Sequence, residues 1–108
     1  MSFLRLLFKR EIKLYDVNEN AYKYYIKNVR KNINDDLNLV QKKLTRNIMC
    51  GKKVNRVGKI VTYMYGCLMI KVNRIDHKIV WIKNYHWSNC KFRINKRKKQ
   101  RLSLRLGI

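Results

Sequence analysis

From Leu37 to the carboxyl terminus, acid–base chemistry has one carboxylate to work with, Asp76, against nineteen lysines and arginines. A general acid–base mechanism needs titratable groups whose environments hold their pKa values apart, and this stretch cannot supply a carboxylate pair. His77 follows Asp76 directly, a juxtaposition that reads as a solvated turn rather than as a catalytic dyad. The nucleophile elbow, the phosphate-binding glycine loop, the zinc-protease helix and the calcium loop are all missing from the sequence. These absences argue against an enzyme. Cys50, Cys67 and Cys90 contain no C-x-x-C pair, so zinc-ribbon and dithiol chemistry lack their ligand pattern. A metal site built from Cys67, His77, His86 and Cys90 would also lack paired spacing. Reduced, buried or half-buried thiols are the better reading, and no cofactor or metal is expected.

What remains is the chemistry of cations. The chain of 108 residues carries 27 Lys and Arg against six acidic residues, a net charge of +21. Eighteen of those charges fall within the residues from Leu37 onward. A compact state with that charge repels itself, and phosphates relieve the repulsion. A membrane surface or an acidic protein could relieve it less completely, so the sequence reads as a nucleic-acid-binding chain, with RNA the expected ligand, whose stability depends on its partner. The candidate phosphate contacts are Lys52, Lys53, Arg56 and Lys59, then Arg74, Lys83 and Arg93, and finally Lys96, Arg97, Lys98, Lys99, Arg101 and Arg105. Such residues position a protein on nucleic acid without reading its sequence. Tyr85 and His86, beside Trp87, could stack on unpaired bases, whereas Trp81 reads better as core.

The elements that must position these residues form two halves, residues 1–50 as a helical arm and 51–108 as a basic barrel. An apolar content of 46 % and twelve aromatic side chains make a globular domain feasible. Met1–Lys13 mixes Phe3, Leu4, Leu6, Leu7 and Phe8 with four cations, like an amphipathic transit peptide. It reads as a docking arm or helix, capped by Ser2 and running over Phe3–Tyr15, too short and charged to span a membrane. Asp16-Val17-Asn18-Glu19 has capping-box spacing. Behind it Tyr22, Ile26, Val29, Ile33, Leu37, Val40 and Leu44 form one apolar helical stripe, which Asn34-Asp35-Asp36 interrupts with poor helix formers, so that it reads as two helices or as one long one. Beyond Gly51, β-branched and aromatic residues take over. Val57–Tyr65, Leu68–Arg74, Lys78–Lys83, Cys90–Ile94 and Arg101–Leu106 read as strands, the last from its alternation of Leu102, Leu104 and Leu106. Lys96–Lys99 then occupies a loop. Five short strands behind a helical arm give an α+β chain with a five-stranded OB-like β-barrel, although an SH3-like barrel would fit the same count.

Two stretches resemble bacterial-type small-subunit ribosomal protein seventeen, an OB-fold family. Gly58-Lys59-Ile60-Val61 matches its first strand, and Leu68–Arg74 stands where the family has an aliphatic strand ending near Arg. Arg93–Leu102 follows its carboxyl-terminal signature, with Pro missing, Asn in place of Ser and Gln in place of an aromatic. The resemblance covers Val57–Leu106 and gives Met1–Lys53 no counterpart. It implies a structural constituent of the ribosome that binds rRNA and orders it during assembly, with Lys96, Lys98 and Arg101 as contacts by motif position. The expected partners are rRNA and neighbouring ribosomal proteins, with no small-molecule substrate. The residues with A/T-rich codons and the absent proline suggest an A/T-rich genome, for which organelles are one source and A/T-rich bacteria or protists are others; with the resemblance, the expected location is the mitochondrial matrix ribosome, with plastid or cytoplasmic ribosomes as alternatives. A large-subunit or lineage-specific ribosomal protein is a second reading. A third is an accessory subunit of an organellar membrane complex, with Phe3–Phe8 at the lipid surface.

Overall fold

A computed structural model describes residues 12–29, 34–85 and 92–108. The chain runs through β1 (Asp16–Val17), α1 (Glu19–Asn28), α2 (Leu37–Cys50), β2 (Lys52–Val57), β3 (Ile60–Tyr65), β4 (Leu68–Asn73), β5 (Lys78–Asn84) and α3 (Lys96–Leu106). The strands form one sheet in the order β1-β5-β4-β3-β2, antiparallel except where β1 runs parallel to β5. The expected α+β class matches, and the sheet has five strands, of which β3, β4 and β5 fall on segments expected as strands. The barrel does not match, because β1 and β2 are opposite edges and the sheet stays open.

Local chemistry explains each element. The Asn18 side chain accepts the Ala21 N–H at 2.8 Å, capping α1. Asp16 and Val17, expected within a capping box, instead pair with Lys78 and Ile79. Asp36 caps α2 by accepting the Leu39 N–H at 2.8 Å. The apolar stripe is thus split into two helices, each burying residues one turn apart: Ala21 and Tyr25 on α1, and Val40, Leu44 and Ile48 on α2. Leu37, counted in the stripe, is 47 % exposed at the first turn of α2. Two-residue hairpins join β2 to β3 and β3 to β4. Gly58 and Gly66 take φ of +60° and +59° there, the left-handed region in which a β-carbon is costly. The first hairpin breaks the expected Val57–Tyr65 strand in two.

Cross-strand pairing sorts the sheet residues onto two faces. Tyr63, Ile70 and Ile82 align in one row, and Val61, Val72 and Ile79 in the next. Ile70, Ile82, Val72 and Ile79 join the buried residues of α1 and α2 in one core cluster, with Tyr63 packed against it. At about 25 cal/mol per Å² of apolar surface, each such side chain contributes roughly 1.5–3 kcal/mol. The other face carries the rows Lys52–Met64–Met69–Lys83 and Asn55–Thr62–Lys71–Trp81. Trp81, expected in the core, is 40 % exposed there, because its register sets it beside Lys71, whose ammonium lies 5.0 Å from the ring centroid.

Three further expectations change. Arg101–Leu106 is the end of a helix and not a strand. Phe92–Ile94, the described part of the Cys90–Ile94 strand, is irregular. Cys67, expected as a thiol, is disulfide-bonded, while Cys50 is free. The Phe3–Tyr15 helix lies outside the described residues except for its last turn, Ile12–Tyr15, which is not helical.

Candidate nucleic-acid interface

The densest group of cations lies on α3, and the sequence around it explains why it is a helix. Asn95 accepts the Lys98 N–H through its side chain at 3.1 Å, satisfying an amide donor left free at a helix start. Lys, Arg, Gln and Leu then follow without a β-branched residue, all good helix formers. Gly107 ends the helix with φ +74° and donates its N–H to Leu104 O, the usual left-handed stop. A strand over the same residues would have buried Leu102, Leu104 and Leu106 together. The helix buries Leu102 and leaves Leu104 76 % exposed.

With Leu102 turned inward and α3 packed along α2, Arg97, Arg101 and Arg105 fall one turn apart on the exposed side, with Lys98 beside them. At 1.5 Å per residue the stripe is about 12 Å long. Lys96 is also exposed, while Lys99 is half-buried and sets its ammonium 5.7 Å from the Tyr65 ring centroid. Among the described residues, no carboxylate pairs with Lys96, Arg97, Lys98 or Arg101. Two ion pairs of the described residues lie elsewhere: Lys23–Glu19 at 2.9 Å on α1 and Lys43–Asp35 at 2.7 Å. Around Cys50, burial pushes the thiol up, and the charges of Lys98, Arg46 and Lys99 oppose that shift. The amino-terminal part of α3 therefore approaches the junction from which β2 starts.

The other expected contacts are dispersed. Lys52, Lys53 and Arg56 lie on β2, every residue of which is exposed. As an edge strand with cations and a bulge between Lys53 and Asn55, β2 has the features that deter pairing with another chain, which accounts for its charge without a ligand. Lys59 sits in the hairpin at the far end of β2, where its carbonyl accepts the Arg74 N–H at 2.9 Å. At about 3.3 Å per residue that end is roughly 17–20 Å from Lys52. Lys83 lies on the outer sheet face, its ammonium 5.2 Å from the Tyr85 ring. Arg93 is exposed ahead of α3. His86 and Trp87 lie outside the described residues.

Asp76 and His77 form no dyad. The Asp76 carboxylate accepts from Asn73 Nδ2 at 3.0 Å, whereas His77 stacks on Tyr15 with centroids 3.7 Å apart. Sequence reasoning passed over Arg46, on α2. Its Nε and Nη2 donate to Asn47 Oδ1 at 3.2 and 3.1 Å, and its Nη1 donates to Ser103 Oγ at 3.3 Å. Its only signal in the sequence is a cation one turn before the end of an apolar-striped helix.

A family model described as YorE matches residues 15–105. No curated protein and no solved structure matches the chain. The matched family is unrelated to small-subunit ribosomal protein seventeen, which overturns the ribosomal identification. The structure shows why the short motifs misled: Gly58-Lys59 is a hairpin turn, and Arg93–Leu102 runs into a capped helix instead of a rim loop and strand. The roles that depended on it fall as well: rRNA and ribosomal proteins as partners, the mitochondrial or other organellar ribosome, and its large-subunit alternative. The membrane-complex alternative is likewise unsupported, and no helix among the described residues is long and apolar enough to cross a membrane.

Proposed function

This chain belongs to the YorE family, so its charge calls for an explanation outside the ribosome, and we propose that it binds the phosphate backbone of nucleic acid without reading base sequence. The observation that carries this reading is the exposed face of α3, where Arg97, Lys98 and Arg101 project with no described carboxylate beside them. Solvated helix faces commonly intersperse both signs of charge, and this one has cations of a single sign in a chain already at +21. Concentrating like charge on one short helix costs folding energy that a polyanion recovers. The cations of β2 carry less weight, since edge protection accounts for them.

The scatter of the remaining cations over hairpin, sheet and helix supports backbone contact over a sequence-reading groove, because phosphate contacts tolerate dispersion and base readout does not. Fluorescence anisotropy with labelled DNA duplexes of equal length and unrelated sequence tests the proposal. The expected result is binding to all of them at about 0.1 M salt, with affinities within roughly threefold, far below the 10³-fold or greater preference of specific readers. Absence of binding, or a preference of a hundredfold or more for one sequence, would overturn it.

A further inference from the structure

Among the described residues, one buried side-chain polar atom lacks a hydrogen-bond partner: the Tyr65 hydroxyl oxygen at the end of β3. Leaving such a group unsatisfied costs about 1–3 kcal/mol, so it calls for an explanation. Tyr65 lines a cleft of about 420 Å³ together with Tyr25, Lys43, Arg46, Asn47 and Lys99, within the range of roughly 300–1,000 Å³ typical of small-ligand sites.

The cleft is rich in donors and short of negative charge. Asn47 and Ser103 fix the Arg46 guanidinium through three of its N–H groups, and no described carboxylate neutralises it. A guanidinium has five N–H donors in a rigid fork, so two remain for a ligand. Lys99 brings its ammonium over the Tyr65 ring from α3. Lys43 is the cation with a carboxylate partner, Asp35 at 2.7 Å. Burial pushes the Tyr25 phenol up to about 12, so that side chain adds no anion. A complement to this lining must be small, anionic and rich in acceptors.

We infer that the cleft binds a phosphate monoester, with Arg46 and Lys99 on its oxygens and the Tyr65 hydroxyl donating a further hydrogen bond when Lys99 swings from the ring to the ligand. A monoester suits the site because its charge of about −1.5 to −2 at neutral pH matches two cations and its three terminal oxygens match the donors. The monoester could be a free mononucleotide or the terminal phosphate of a nucleic-acid strand. This inference stands apart from the backbone reading, since Arg97, Lys98 and Arg101 do not line the cleft.

Calorimetric titration of the full chain with AMP and with adenosine tests it, at about 0.3 M salt to screen diffuse attraction. AMP should bind and adenosine should not. Tyr65→Phe removes only the unpartnered hydroxyl, so it should fold as the parent does while weakening AMP binding about tenfold, the size of one hydrogen bond to a charged group. Arg46→Gln should weaken it at least as much, and Arg97→Gln/Arg101→Gln should leave it unchanged. A strand end as the source would make a 5′-phosphorylated oligonucleotide bind more tightly than its 5′-hydroxyl twin, whereas a free nucleotide as the source would leave the two equal. Equal binding of AMP and adenosine, or AMP affinity unaltered by Tyr65→Phe, would overturn the inference.

Discussion

Replacing Arg97 and Arg101 together by Gln removes two charges from the outward face of α3 while leaving its fold untouched. Both side chains are exposed, and Gln has nearly the helix propensity of Arg, so the melting temperature should move by no more than a degree or two. The effect on binding follows from counterion release, which gives a slope of about −0.9 in log affinity against log salt for each phosphate neutralised on duplex DNA. Two lost contacts should flatten the slope by about 1.8. Extrapolated from 1 M salt, that is roughly sixtyfold weaker binding at about 0.1 M and roughly ninefold at about 0.3 M. Anisotropy titrations of parent and variant across that salt range measure both quantities. A slope unchanged within half a unit would show that these arginines are merely solvated, and the reasoning from α3 would fail.

Other outcomes test the fold. A β-carbon on Gly51 would stand 2.7 Å from Asn47 O and 2.8 Å from Met64 O, both backbone atoms, so Gly51→Ala should lower stability by about 2 kcal/mol or more in urea unfolding. Leu104→Asp should be tolerated within about 0.5 kcal/mol, because Leu104 is 76 % exposed; loss of folding would mean that α3 packs through that side. Burial lifts the phenols of Tyr15 and Tyr25 to about 12 from an ordinary value of 10. Since the folded state holds these protons more tightly, their stabilisation is complete below pH 10 and is lost as pH rises toward 12. Tyr25→Phe should flatten stability between those limits, and an equally steep alkaline decline in that variant would contradict the assignment.

The sequence carried the sheet centre well and its margins poorly. Leu68–Asn73 and Lys78–Asn84 were legible because both are interior strands paired on two sides, so the spacing of their buried residues reflects packing directly. β2 was not, because an edge strand whose six residues are all exposed shows no alternation and is placed only by its pairing with β3. The two residues of β1 are likewise fixed by Lys78 and Ile79, 62 positions away, which no local pattern encodes. In α3 the alternation of Leu102, Leu104 and Leu106 imitated a strand, while the deciding signals were Asn95 and Gly107 at the ends. The basic residues themselves were visible, but whether they share a surface was not. α3 gathers six of them, whereas Lys59, Arg74 and Lys83 are carried elsewhere by the hairpins. Arg46 escaped notice because its partners, Asn47 and Ser103, lie on two helices whose packing has no sequence signature.

Chemical-shift mapping of the isotopically labelled protein with an unlabelled DNA duplex tests most directly whether α3 is the contact surface. Contact through α3 requires the largest amide and side-chain perturbations at Arg97, Lys98 and Arg101, fading with added salt, while Asp16, Val17 and the residues of α1 stay still. Perturbations centred on β1 and α1 and absent from α3, or no perturbation at low salt, would contradict it.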